Sequence, residues 1–156
     1  MPLMFDDRGL LVPGTHDATL AEVEQAFARF QRSDRRVTLF VKLKAYLSEV
    51  RQTGWQCEVF LDGSFVMPMV DEPNDIDVIL RLPPDWNMTR ELRPFEYNVV
   101  DKSFTKREYE IEVVAAPADS ERETRVRQLF DQVRPEWCRL FGWPLGSLKG
   151  LVRIVP

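Results

Sequence analysis

Two aspartates, one residue apart, open an otherwise apolar strand: Asp75-Ile76-Asp77, followed by Val78-Ile79-Leu80. Residues at i and i+2 of a strand point to the same face, about 7 Å apart along it. At an effective dielectric near 20, two such charges repel by about 2 kcal/mol. A plain core strand gains nothing that offsets this repulsion. A strand that holds a divalent cation does, because Mg²⁺ takes carboxylate oxygens and fills its other positions with water and substrate phosphates.

Ten residues separate this pair from Gly63-Ser64, which ends an earlier strand, 56–61. Glycine there permits positive φ and close approach of an anion, and the serine hydroxyl adds a donor. A third carboxylate is expected on a neighbouring strand. The alternating run 109–115, Y-E-I-E-V-V-A, reads as that strand and offers Glu110 and Glu112. Glu112 is preferred, because apolar residues flank it on both sides, whereas Glu110 follows Lys106, Arg107 and Glu108 and reads as solvent-facing.

The rest of the chain sets the frame. Its 156 residues are enough for one domain with a real core. The net charge of −4 argues against general affinity for duplex nucleic acid, which needs a basic face. No apolar run is long enough to span a membrane, and the first residues lack the basic and apolar regions of a secretory signal, so a cytoplasmic protein is expected. Cys57 and Cys138 read as two reduced thiols, and the single histidine, His16, as a turn residue before a helix.

Residues 1–17 read as an extended lead. Thr19 and Glu22 form a capping box opening a helix over 20–31, with Leu20, Val23, Phe27 and Phe30 as its apolar stripe. A second helix spans 34–53, capped by Ser33, with Val37, Phe40, Leu43, Leu47 and Val50 inward and Arg35, Arg36, Lys42, Lys44 and Arg51 on a solvated face. After the strand 76–82, Pro83-Pro84 stops the ladder. Residues 83–95 read as a loop with one helical turn, and 96–101 as either a short strand or the end of a helix. Lys102, Lys106 and Arg107 form a small basic cluster. Ser120 and Glu123 cap a helix to about 134 with Val126, Leu129, Phe130 and Val133 buried; 136–141 adds a turn, and 149–155 closes on a strand. The reading is one α/β (α+β) domain over 1–156, helical across 18–54, with the catalytic sheet and C-terminal helix across 55–156 and a mixed sheet flanked by helices.

The Gly63-Ser64 turn, the ten-residue spacing and Asp75-Ile76-Asp77-Val78 resemble the signature of the DNA polymerase β-like nucleotidyltransferase superfamily. The spacing is similar to that of its minimal members, the small proteins paired with HEPN-domain toxins. F-D-D-R-G-L-L-V-P-G-T-H, F-L-D-G-S-F-V and K-G-L-V-R-I also resemble an uncharacterised small-protein branch of that group. The resemblance implies a polymerase β-like fold and two Mg²⁺ ions, with Mn²⁺ as the alternative, on Asp75, Asp77 and Glu112. It implies transfer of a nucleoside monophosphate from an NTP, ATP first among candidates, to a hydroxyl of a protein or RNA acceptor, a cognate toxin or a phage-defence partner among them. Gly63 and Ser64 would hold the triphosphate, with Lys102 and Lys106 reaching in. Two features depart from the pattern. Asp62 stands where an apolar residue is common, and the loop 65–74 carries Asp71 and Glu72 but no Lys or Arg. These departures motivate an alternative, a catalytically inactive module on the same fold that acts by protein or nucleotide binding, with Met67, Met69, Trp86 and Trp143 as an exposed partner surface.

Overall fold

The computed structural model describes residues 3–156; the first two residues of the predicted lead lie outside them. Five strands form one mixed sheet: β1 (Thr15–Asp17), β2 (Glu58–Asp62), β3 (Ile76–Leu82), β4 (Ile111–Pro117) and β5 (Leu151–Ile154), in the order β1-β5-β2-β3-β4. The β5–β2 and β2–β3 pairs are antiparallel, and the two outer pairs are parallel. Six helices accompany the sheet: α1 (Leu20–Phe27), α2 (Arg35–Gln52), α3 (Pro94–Val100), α4 (Lys102–Tyr109), α5 (Glu121–Phe130) and α6 (Pro135–Phe141). No helix among the described residues is long and apolar enough to cross a membrane.

Alternation along the strands divides the sheet into two faces. Val59, Leu61, Val78, Leu80, Val113 and Val152 point into the main core, where they meet Leu39, Leu43, Tyr46, Leu47 and Val50 of α2. Phe60, Ile79 and Leu151 point the other way, under Val126 and Phe130 of α5. Arg81 ties α5 to that face, reaching Glu58 at 2.6 Å, Glu123 at 2.5 Å and Asp119 at 3.0 Å. On this second face the register sets Asp62 opposite Asp77 and Asp77 opposite Glu112.

The capping box at Thr19 closes in both directions. At Ser120 only one arm does: Glu123 N–H donates to Ser120 Oγ, but the Glu123 carboxylate turns to the Asp119 N–H and Arg81. Several elements differ from the sequence reading. Residue 30 is not helical: α1 stops at Phe27 and leaves Phe30 exposed. The 94–109 stretch is two helices, because Pro94 suits the first turn of α3 and the Asp101 carboxylate caps α4. Likewise, α5 ends at Phe130 with Leu129 exposed, since the chain turns there to pair Gln132 with Leu148. His16 lies in β1 rather than a turn, its Nε2 against the Val12 carbonyl at 2.6 Å. Met67 is buried, and Met69, Trp86 and Trp143 pack half-buried against the cores rather than forming an open surface.

The largest correction concerns Arg35 and Arg36, expected on a solvated face. Arg36 is 1% exposed, so the buried face of α2 is rotated from the predicted stripe and leaves Val37 outside. The Arg36 guanidinium donates to the carbonyls of Phe27, Ser64, Phe65, Met67 and Val70. Arg35 takes the other half of the same loop, donating to the carbonyls of Pro73 and Asn74. It also makes a two-pronged pair with Glu110, each contact 2.9 Å, and Lys42 adds a third contact at 2.7 Å. Glu110 is therefore an anchored turn residue with φ 52°, not part of the strand, and β4 begins one residue later at Ile111.

Arg36→Ala strands these carbonyls in a dry interior and is expected to cost about 3 kcal/mol or more in urea unfolding, with Arg36→Lys recovering only part. The Arg35 and Lys42 hydrogen bonds hold the Glu110 carboxyl down at about 2. The stability this lends is complete above the ordinary glutamate value of 4.5 and disappears as pH falls from there through about 2. Glu110→Gln should lower stability at pH 7 by about 1–2 kcal/mol and flatten that acid limb.

Candidate functional site

The site forms where β2 ends and β3 and β4 begin. Asp62 closes β2, and Gly63 then takes φ +81° to start a single 3₁₀ turn, Ser64–Val66. A Cβ at Gly63 would lie 2.5 Å from Asp77 Oδ2, so only glycine lets the turn pass this close to the carboxylate. The loop 65–74 arches over α2's first turn, fixed from below by Arg36 and Arg35, and delivers Asp75 to the mouth of β3. Its acidic residue Asp71 faces away from the site, toward Gln31 Nε2 at 2.6 Å and Arg32 at 3.1 Å.

Asp75, Asp77 and Glu112 each bring a carboxylate oxygen within 4.8 Å of the others. Mg²⁺ binds oxygens at about 2.1 Å in an octahedron, so adjacent ligands of one ion lie about 3 Å apart and opposite ones about 4 Å, and rotation of the side chains would draw this set together. Their environments differ. Asp75 is 17% exposed, Asp77 5% and Glu112 50% at the side chain. Glu112 is thus more open than Glu110, the reverse of the order expected from flanking residues; the register opposite Asp77, not burial, brings it to the cluster.

Two cations lie on these carboxylates. Lys106 Nζ reaches Asp75 at 2.5 Å and Glu112 at 3.4 Å; Arg134 Nη2 reaches Asp77 at 3.1 Å and Glu112 at 3.8 Å. Burial, eased only partly by Arg134, pushes the Asp77 carboxyl up to about 7. Burial works the same way on Glu112, but the Asp77 hydrogen bond, Lys106 and Arg134 outweigh it and hold Glu112 below the usual range. Asp77 Oδ1 is buried without a hydrogen-bond partner. A buried acceptor without a donor is costly, and a metal ion would satisfy it, so the donor set fits a hard divalent cation.

Asp62 and Lys149, both buried, form an ion pair next to this cluster, and Lys149 also donates to the Phe130 carbonyl at 3.2 Å. Burial alone pushes the Lys149 ammonium down to about 7, while the touching Asp62 carboxylate favours its charged form. The buried Lys149 ammonium thus explains why an aspartate is tolerated before Gly63.

Two cavities flank Asp77. One, about 310 Å³, is lined by Gly63, Asp62, Phe130, Arg134, Trp137 and Lys149, among others. The second, about 480 Å³, is lined by Lys102, Ser103, Lys106 and Glu112. Of the residues expected to hold a nucleotide, Gly63 therefore faces one cavity, and Lys102 and Lys106 the other. Ser64 is half-buried at the head of the 3₁₀ turn, and its carbonyl accepts from Arg36 at 3.3 Å. Arg134 escaped sequence reasoning; it sits between two short helices, with Pro135 after it as the only local signal.

A family model described as "Family of unknown function (DUF6932)" matches residues 3–155, and the chain belongs to that family. No curated protein and no solved structure matches it. Gly63→Ala is expected to cost at least about 1–2 kcal/mol through its positive φ alone, and more through the displacement of Asp77, read as a lowered unfolding midpoint.

Proposed function

We propose that this member of the DUF6932 family is a Mg²⁺-dependent nucleotidyltransferase of polymerase β-like fold. It transfers a nucleoside monophosphate from an NTP, with ATP the first candidate, to a hydroxyl of a protein or RNA acceptor. The observation that carries the proposal is the convergence of Asp75, Asp77 and Glu112 beside a Gly63 that has no room for a side chain. The fold reading is supported by the order of parts: a strand ending in Gly-Ser, an antiparallel strand opening on Asp-x-Asp, and a parallel neighbour carrying the third carboxylate. A cognate toxin or phage-defence partner as acceptor rests on the sequence resemblance alone.

Asp75, Asp77 and Glu112 would hold the metal. When bound, Mg²⁺ supplies neutralisation of phosphate charge and makes an attacking hydroxyl more acidic. The chain's own residues supply position. Gly63 lets a phosphate approach the backbone, and the Ser64 hydroxyl offers a donor. Lys102 and Lys106 bring positive charge from α4 to the far side of Asp77. In the transfer, the acceptor oxygen bonds to the α-phosphorus as the bond from that phosphorus to the pyrophosphate oxygen breaks. The hydroxyl proton leaves by way of Glu112, whose half-exposed carboxylate reaches solvent. Orientation and fixed charge of this kind account for much of the rate gained in group transfer.

A second reading, the catalytically inactive module, draws on the ion pairs of Lys106 and Arg134, which compensate part of the carboxylate charge without a metal. Incubation with ATP labelled at the α-phosphate, millimolar Mg²⁺ and candidate acceptors separates the two. Transfer of label, reduced at least about 100-fold in Asp77→Asn, is the expected result. Absence of both transfer and Mg²⁺-dependent NTP binding defeats the proposal. A partner captured equally by the wild type and Asp75→Ala/Asp77→Ala, without transfer, establishes the inactive module.

A further inference from the structure

We propose that Arg134 is a phosphate-binding residue that metal binding releases: Arg134 and Mg²⁺ compete for the same two carboxylates, Asp77 and Glu112, and the displaced guanidinium takes the triphosphate. This rests on the nucleotidyltransferase reading and adds a ligand that the sequence pattern does not contain.

Competition follows from the contacts. Arg134 Nη2 lies 3.1 Å from Asp77 Oδ2 and 3.8 Å from Glu112 Oε2, two of the three carboxylates that converge. A divalent ion drawn into that set repels a guanidinium held on the same carboxylates, so one cation must yield. Asp77 is almost wholly buried and held in β3, whereas the Arg134 side chain is 55% exposed and springs from the start of a seven-residue helix. The arginine is the partner free to move.

Its destination follows from placement. Asp77, Phe130 and Arg134 line both cavities around the carboxylates. Gly63 opens onto one cavity, and Lys102 and Lys106 onto the other. Arg134 is thus the only cation common to both, on the wall that a triphosphate running from the Gly63 turn toward the lysines would cross. The guanidinium presents a planar fork of N–H donors that matches phosphate oxygens two at a time. Lys106 makes the corresponding move from Asp75, but from one cavity only.

The inference predicts opposite signs for one substitution. Mg²⁺ alone, titrated calorimetrically, should bind Arg134→Ala about 3- to 10-fold tighter than wild type, because an exposed competing ion pair is gone. At saturating Mg²⁺, the α,β-methylene analogue of ATP should bind the same variant about 10-fold or more weaker, because a charge-assisted phosphate contact is lost. Arg134→Lys, which keeps a point charge without the fork, should fall between them for the nucleotide. Equal shifts of the same sign for both probes, or no shift in either, would overturn the role of Arg134 and leave the nucleotidyltransferase reading intact, since wild type still binds both. Wild type that binds neither probe overturns that reading and this inference together.

Discussion

A guanidinium with no carboxylate in contact holds the structure's least regular segment in place. Burying an isolated charge is expensive, and burial lowers the Arg36 pKa to about 10, which still leaves it protonated at neutral pH. What offsets the cost is geometry. The segment between Gly63 and Asp75 has only one 3₁₀ turn, so its carbonyls cannot be satisfied by a ladder or a long helix. Arg36 gathers four of them, Ser64, Phe65, Met67 and Val70, together with the Phe27 carbonyl at the end of α1. Arg35 holds the loop's far end through the Pro73 and Asn74 carbonyls and passes the constraint to β4 through Glu110. Two adjacent residues in the first turn of α2 thereby fix the path that separates the glycine turn from the aspartate pair, and the start of the strand that carries Glu112.

Above this support, charges pair off in sequence: Asp62 with Lys149, Asp75 with Lys106, Asp77 with Arg134. The pairs are not equivalent. Asp62–Lys149 is buried on both sides and locks the approach of β5 to the end of β2. The other two pair a buried or half-buried carboxylate with an exposed cation. The arrangement is least compensated at Asp77, whose carboxyl burial pushes up to about 7 and whose Oδ1 has no donor. Deep carboxylates with detachable counter-ions suit a site that exchanges one cation for another.

What could be read from the sequence follows the range of the forces involved. The Gly63 turn and the two strands around it were legible because local spacing and strand period determine them. The Thr19 box was legible for the same reason. Glu112 was chosen on the expectation that apolar neighbours bury it, yet it is half exposed and reaches the cluster through cross-strand register, which no local pattern encodes. Arg36 was hidden because it looks like any surface arginine until the carbonyls it serves, some thirty residues later, fold over it. Lys149 was hidden by the same logic, its partner Asp62 lying on a strand far away in sequence. Arg134 gave no periodic signal, coming from the break between two short helices. Glu110 looked like a strand residue because a left-handed turn position held by two distant cations is invisible to alternation.

The register that sets Asp62, Asp77 and Glu112 at one level across three adjacent strands has a consequence for folding itself. A slip of β3 by one residue would exchange the two faces of the sheet. Asp77 would then point into the apolar layer beneath α2, which Leu39, Leu43 and Leu47 line. A sheet whose strands were apolar on both sides could tolerate several alignments. Here a one-residue slip drives a carboxylate into hydrocarbon, so the residues that make the site acidic also proofread the pairing of the strands that carry it.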